Sequence, residues 1–206
     1  MAGYFITFEG SEKSGKSTQA KLLMNYLIKK GRKCVFIREP GSTSVSEKVR
    51  KILLDVRNKN ISHISEMLLY MAARAQLIQD VIEPALKDNK VVICDRFLDS
   101  TIVYQGYGLG LDLEVIKYIG RFATKAITPD LTLLLDLDKR KNLYKVNHRK
   151  DRIELRSQEF HKRVWQGYLE LAKEEPQRIK IVTLEDDKFQ TQEKIRGIVD
   201  RCLLKI

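Results

Sequence analysis

Eight residues constrain this chain more than any others: Gly10-Ser11-Glu12-Lys13-Ser14-Gly15-Lys16-Ser17 fits the pattern GxxxxGK[ST]. A short apolar run, Tyr4 to Phe8, leads into it. A helical period follows, with Ala20, Leu23, Met24, Leu27 and Ile28 on one face and Gly31 at the end. In that setting the two glycines let the backbone curl until several N–H groups converge on a phosphate. The helix opening at Lys16 adds the positive end of its dipole, and the Lys16 ammonium reaches the β- and γ-phosphates. The Ser17 hydroxyl is placed to ligate Mg²⁺. Residues Gly10 to Thr18 therefore predict a nucleoside triphosphate site.

Strand-like runs and helical periods alternate along the rest of the chain. Cys34 to Ile37, Val91 to Cys94, Leu131 to Leu135 and Ile179 to Thr183 are short and nearly continuous in apolar residues. Between and after them, helical periods cover Val45 to Leu54, Leu113 to Ala123, Gln158 to Glu174 and Gln192 to Leu204. Another runs from Ile64 to Leu86, with Pro84 interrupting it. Strands of this kind are buried on both faces, so the predicted fold is α/β: a P-loop NTPase fold with a five-stranded parallel sheet and helices on both faces. No repeat, linker or low-complexity tract divides the 206 residues, so 1–206 is expected to be one domain.

No run approaches the ~18 apolar residues of a membrane span, and the first residues lack a secretion signal's basic start and long apolar core. Cys34, Cys94 and Cys202 are odd in number and far apart, which excludes a disulfide framework and a CxxC metal knuckle. The expected setting is the cytoplasm, with no membrane partner. A net charge of +11 calls for a polyanionic partner. The basic residues are scattered and form no aromatic-rich stripe, so phosphorylated small molecules are expected rather than nucleic acid.

In such folds ligands lie beyond the carboxyl ends of the strands. Asp95 ends the third strand, where an acid holds the metal or its water, or else caps a helix; its neighbour Arg96 can clamp a phosphate bidentately. Arg38 leaves the second strand, and a basic stretch from Lys139 leaves the fourth. The phosphate loop, Arg38-Glu39-Pro40-Gly41, Glu47-Lys48-Val49-Arg50 and Tyr70-Met71-Ala72-Ala73-Arg74 come in that order. Asp95-Arg96-Phe97, Thr101, Tyr104-Gln105-Gly106 and Asp151-Arg152-Ile153-Glu154 follow. Together they resemble the bacterial-type thymidylate kinases, within the P-loop nucleoside-monophosphate kinases.

That resemblance implies transfer of the γ-phosphoryl of ATP to dTMP, giving dTDP, by a homodimer with a mobile LID at about 139–156. It implies that Arg74 hydrogen-bonds a thymine carbonyl, that Tyr70 stacks on or edges the base, and that Gln105 and Thr101 read its polar edge. Tyr104 would stand near the ribose C2′, Glu12 near the 3′-hydroxyl, and Pro40 in the same pocket. Arg50 and Arg96 would hold the acceptor phosphate, with Arg38 a further candidate. From the residues alone, Tyr70 and Arg74 at i, i+4 could also be a core tyrosine capped by an arginine, and Arg50 an ordinary surface side chain. The chain departs from the family pattern at Ser42, at Phe97, which lacks a hydroxyl, at Val103 and at Leu109.

Phosphoryl transfer needs cations around the migrating group more than it needs a base. Lys16, Arg96, Lys13 in the loop and Arg149 in the LID are the candidates, with Lys13 and Arg149 sharing one role. Arg149 and Arg152 are also expected on the ATP side, Arg152 otherwise anchoring Glu154. Two other functions remain open on sequence: a P-loop kinase for another nucleotide such as dUMP, and a nucleotide-switched nucleic-acid-binding protein.

Overall fold

Strand β1 (Tyr4–Gly10) lies at the centre of a five-stranded parallel sheet in a computed structural model that describes residues 3–12, 14–136 and 151–203. Its neighbours are β3 (Val91–Asp95) and β4 (Leu131–Asp136). The outer strands are β2 (Cys34–Arg38), beside β3, and β5 (Ile179–Thr183), beside β4. Alternation along β1 sorts its side chains. Tyr4, Ile6 and Phe8 pack with Leu23 and Leu27 of α1 (Lys16–Lys29) and Ile195 and Val199 of α8 (Lys188–Leu203). Phe5 points the other way, into a cluster with Val92, Phe97 and Leu77. On that second face lie α3 (His63–Leu77), α6 (Leu113–Ala123) and α7 (Gln158–Glu174), whose Met71, Ile116 and Val164 share one core. The α/β expectation is met.

Polar caps start the helices where the sequence supplies them. Thr43 accepts from the Ser46 N–H at α2 (Ser44–Leu54), and Ser62 and Ser157 do the same for α3 and α7. Pro84 reshapes its helix rather than ending it. A wide π turn, Ile78–Ile82, follows α3 and absorbs the missing N–H, and α4 (Glu83–Lys87) continues beyond. Periodicity predicts no element between Asp95 and Leu113. There the chain forms a short α5 (Leu98–Thr101) that widens into a second π turn, Ile102–Gly108. Gly106 lies inside that turn. Lys13, Arg149 and 137–150, most of the expected LID, lie outside the described residues.

Candidate active site

The phosphate loop leaves β1 through Gly10, where two demands coincide. Its φ is +133°, and a Cβ there would sit 2.5 Å from the Leu135 carbonyl oxygen of β4. Gly15 turns back with φ +80° to open α1. The Lys16 ammonium folds over its own loop, donating to the Ser11 carbonyl at 2.6 Å, the Gly10 carbonyl at 3.2 Å and Ser14 Oγ at 3.3 Å. Burial, with the Arg96 guanidinium adding to it, lowers the Lys16 pKa to about 8. Ser17 Oγ donates to Asp95 Oδ2, which joins the two metal candidates directly. A cleft of about 600 Å³ opens over this loop, bordered by Thr18, Arg38, Asp95 and Lys188.

A second, tighter pocket of about 90 Å³ lies beside it, between α3 and the second π turn. Tyr70, Arg74, Thr101, Tyr104 and Gln105 all line it, as do Pro40, Arg50 and Glu12. Arg74 is buried and strongly held. Nε donates to Glu39 Oε2 at 2.8 Å, and Nη2 donates to Thr101 Oγ1 at 2.9 Å and to the Phe97 carbonyl at 3.1 Å. Glu39 Oε1 has no hydrogen-bond partner among the described residues, and burial raises the Glu39 pKa despite Arg74. The Gln105 amide nitrogen donates to Glu66 Oε1 at 2.9 Å, which leaves its oxygen for the pocket.

Arg96 stands where the two cavities meet and lines both. Its backbone is left-handed, φ +72°, a strained conformation for a side chain with a Cβ. The N–H of Arg96 donates to the Phe8 carbonyl at 3.0 Å, fixing the turn to β1. Its guanidinium donates to Glu12 Oε1 at 2.6 Å, Tyr104 Oη at 3.1 Å, Ser100 Oγ at 3.0 Å and Tyr168 Oη at 3.2 Å. Burial works against ionising Glu12, but Arg96 and Lys16 outweigh it and hold the pKa at about 2. Beneath lies Glu9, fully buried, accepting from the Phe97 N–H, Ser100 Oγ and Tyr168 Oη at 2.6–2.7 Å. Burial and nearby Asp99 push the Glu9 pKa up to about 7.

The structure thus brings Glu12, Pro40, Arg50, Tyr70, Arg74, Arg96, Thr101, Tyr104 and Gln105 to one pocket. Arg50 is not a plain surface arginine: Nη1 donates to the Pro40 carbonyl at 2.9 Å and the side chain lines both cavities. Two further candidates lie outside this pocket's lining. Arg38 borders only the wide cleft and pairs with Glu47 at 3.0 Å. Arg152, expected on the ATP side or as an anchor for Glu154, pairs with Glu66 at 2.6 Å, and Nε donates to the Leu53 carbonyl at 2.7 Å. The buried Glu66 carboxylate demands a cation, and Arg152 supplies one. Glu9, Glu66 and Tyr168 escaped the sequence reading. Only Glu9, a charge ending an apolar strand, carried a visible signal.

The family model described as Thymidylate kinase matches residues 8–195. The chain is 46% identical to the thymidylate kinase of Symbiobacterium thermophilum over 200 residues, covering 97% of this chain and 94% of that one. It is 43% identical to the thymidylate kinase of Thermoanaerobacter sp. over 204 residues, covering 98% and 100%. The crystal structure of thymidylate kinase from Ehrlichia chaffeensis superposes with a TM-score of 0.80 at 33% identity, covering 97% of this chain and 99% of that one.

Proposed function

The chain belongs to the thymidylate kinase family, and on that premise we propose that its two cavities hold ATP and dTMP with their phosphates meeting at Arg96. The reaction passes the γ-phosphoryl of ATP to dTMP and yields dTDP and ADP. One observation carries the placement: Arg50 and Arg96 both line the junction of the cavities, so the acceptor arrives already bearing a phosphate. The base would enter the tight pocket against Tyr70. Arg74, which has only donors to give, faces a thymine carbonyl, and Gln105 Oε1 faces the N3–H. Tyr104 would stand at C2′ and Glu12 at the 3′-hydroxyl.

Lys16 would leave its loop carbonyls for the β/γ-phosphates, and Arg96 would hold the acceptor phosphate in line. The acceptor oxygen is a competent nucleophile as it stands, so no base is needed and the residues act by position and charge. Lys13 and Arg149 are proposed to share the remaining cationic role. Ser17 and Asp95 offer a hydroxyl and a carboxylate side by side at the foot of the cleft, the hard oxygen donors that Mg²⁺ takes alongside substrate phosphates. Mg²⁺ there would neutralise charge on the β- and γ-phosphates.

Homodimerisation is proposed through α6 and the α3 it packs against. Val115, Tyr118 and Phe122 share an exposed face of α6, and Ile64 and Leu68 one of α3. A cytoplasmic location is proposed with it; no described helix is long and apolar enough to cross a membrane. ADP release with dTMP, dUMP, dCMP, dGMP and thymidine as acceptors tests the reading. dTMP should be used best and dUMP next, since one methyl group discriminates by only ~1–3 kcal/mol. Faster turnover of thymidine than of dTMP would sink the placement of Arg50 and Arg96.

A further inference from the structure

Glu66 is a buried carboxylate for which phosphoryl transfer has no use. It lies in the first turn of α3, 0% exposed, behind the acceptor pocket rather than in it. Oε1 accepts from Gln105 Nε2 at 2.9 Å. Oε2 accepts from Arg156 Nη2 at 2.7 Å and forms an ion pair with Arg152 Nη2 at 2.6 Å. Both arginines are anchored elsewhere as well. Arg152 donates to the Leu53 carbonyl, and Arg156 lies 4.8 Å over the Phe160 ring.

We propose that Glu66 is a positioning residue that sets base specificity by locking the Gln105 amide, with Nε2 turned inward and Oε1 facing the acceptor pocket. The two ends of an amide have nearly the same shape, so either could face a ligand, and the neighbour behind it decides. A carboxylate bearing two guanidiniums has only acceptors to offer, so the Gln105 nitrogen must face it. The pocket is left with an acceptor at this position. The N3–H of thymine or uracil satisfies that acceptor, whereas cytosine presents a lone pair and two acceptors would collide. A free Gln105 would flip and accept either. The inference rests on the reading of Gln105 as a contact to the base.

The test is kcat/KM for dTMP, dUMP and dCMP in the wild-type protein and in Glu66→Gln. A glutamine at 66 can pair with Gln105 in either orientation. The dTMP:dCMP ratio should fall about tenfold, one mismatched hydrogen bond relieved, while the dTMP:dUMP ratio holds because both bases carry N3–H. A loss common to all three acceptors, with both ratios unchanged, overturns the proposal and leaves Glu66 a packing residue. If Glu66→Gln does not fold, the wild-type Gln105 side-chain amide, assigned by NMR against Gln105→Met, decides. Its protons should be protected from exchange without nucleotide and unchanged by dTMP. Protection that begins only with dTMP overturns the proposal. Poor use of dTMP by the wild-type protein would instead fail the functional reading, whatever the ratios in the variant.

Discussion

Lys16 rests on carbonyl oxygens that a triphosphate would replace with anionic ones. Its pKa, lowered from 10.5 to about 8 by burial first and Arg96 second, should rise again when ATP binds. ATP binding near pH 8 should therefore take up a proton, and affinity should fall as pH climbs through that value. Calorimetry in two buffers of different ionisation enthalpy checks it, and a heat independent of buffer would refute it. The same group affects stability with a definite sign. Between about 8 and 10.5 the unfolded chain keeps a proton that the folded chain has lost, so this contribution rises with pH. Arg74 makes a second residue-scale case. Arg74→Ala would remove the proposed donor to the base and also strand the buried Glu39 carboxylate, at about 3–5 kcal/mol. The melting temperature should drop and dTMP turnover should collapse, with little change in affinity for an ATP analogue. Adding Glu39→Gln should restore much of the stability and none of the turnover; recovery of both would mean Arg74 is structural only.

The π turn at Ile102–Gly108 and α7 act as one unit, because they carry Tyr104, Gln105 and Tyr168 and approach each other very closely. A Cβ at Gly167 would meet Tyr107 Cγ at 2.6 Å and Cβ at 3.0 Å, atoms at the root of that side chain that cannot swing aside. Gly167→Ala should force the two elements apart, at about 1–3 kcal/mol of stability. The KM for dTMP should rise with it, since Tyr104 and Gln105, proposed to face ribose and base, ride on the displaced turn. Thermal melts and steady-state kinetics measure both, and an unchanged KM with a lowered melting temperature would separate packing from the site. At the other end, α3 reaches the pocket through Tyr70 and Arg74 and carries Glu66 one turn earlier.

For the whole molecule, the exposed apolar faces of α6 and α3 make association the testable property. Phe122 is 83% exposed and Tyr118 79%, and the two rings lie on the α6 face proposed to pair. Sedimentation equilibrium should give a dimer for the wild-type protein and a monomer for Phe122→Glu with unaltered circular dichroism. A wild-type monomer at micromolar concentration would remove the proposed interface.

Local signals determined much of this protein. Glycines at fixed spacing, apolar runs of strand length and helical periods depend on residues near one another in the chain, and they gave the phosphate loop, five parallel strands and most helix limits. The residues that line the tight pocket were legible because their motifs are short: Tyr70 and Arg74 one turn apart, Tyr104 next to Gln105. Tertiary structure decided what depends on distant partners. Glu66 in a helix's first turn reads as an ordinary favourable charge there, and nothing nearby announces Gln105, Arg152 and Arg156 as its partners. Arg152, expected to anchor Glu154 or to meet ATP, pairs with a Glu66 that its local sequence does not announce. Glu9 and Tyr168 stand 159 residues apart, yet a 2.7 Å hydrogen bond joins them beneath Arg96. A buried charge takes whatever partner the fold delivers, and sequence spacing holds no record of that.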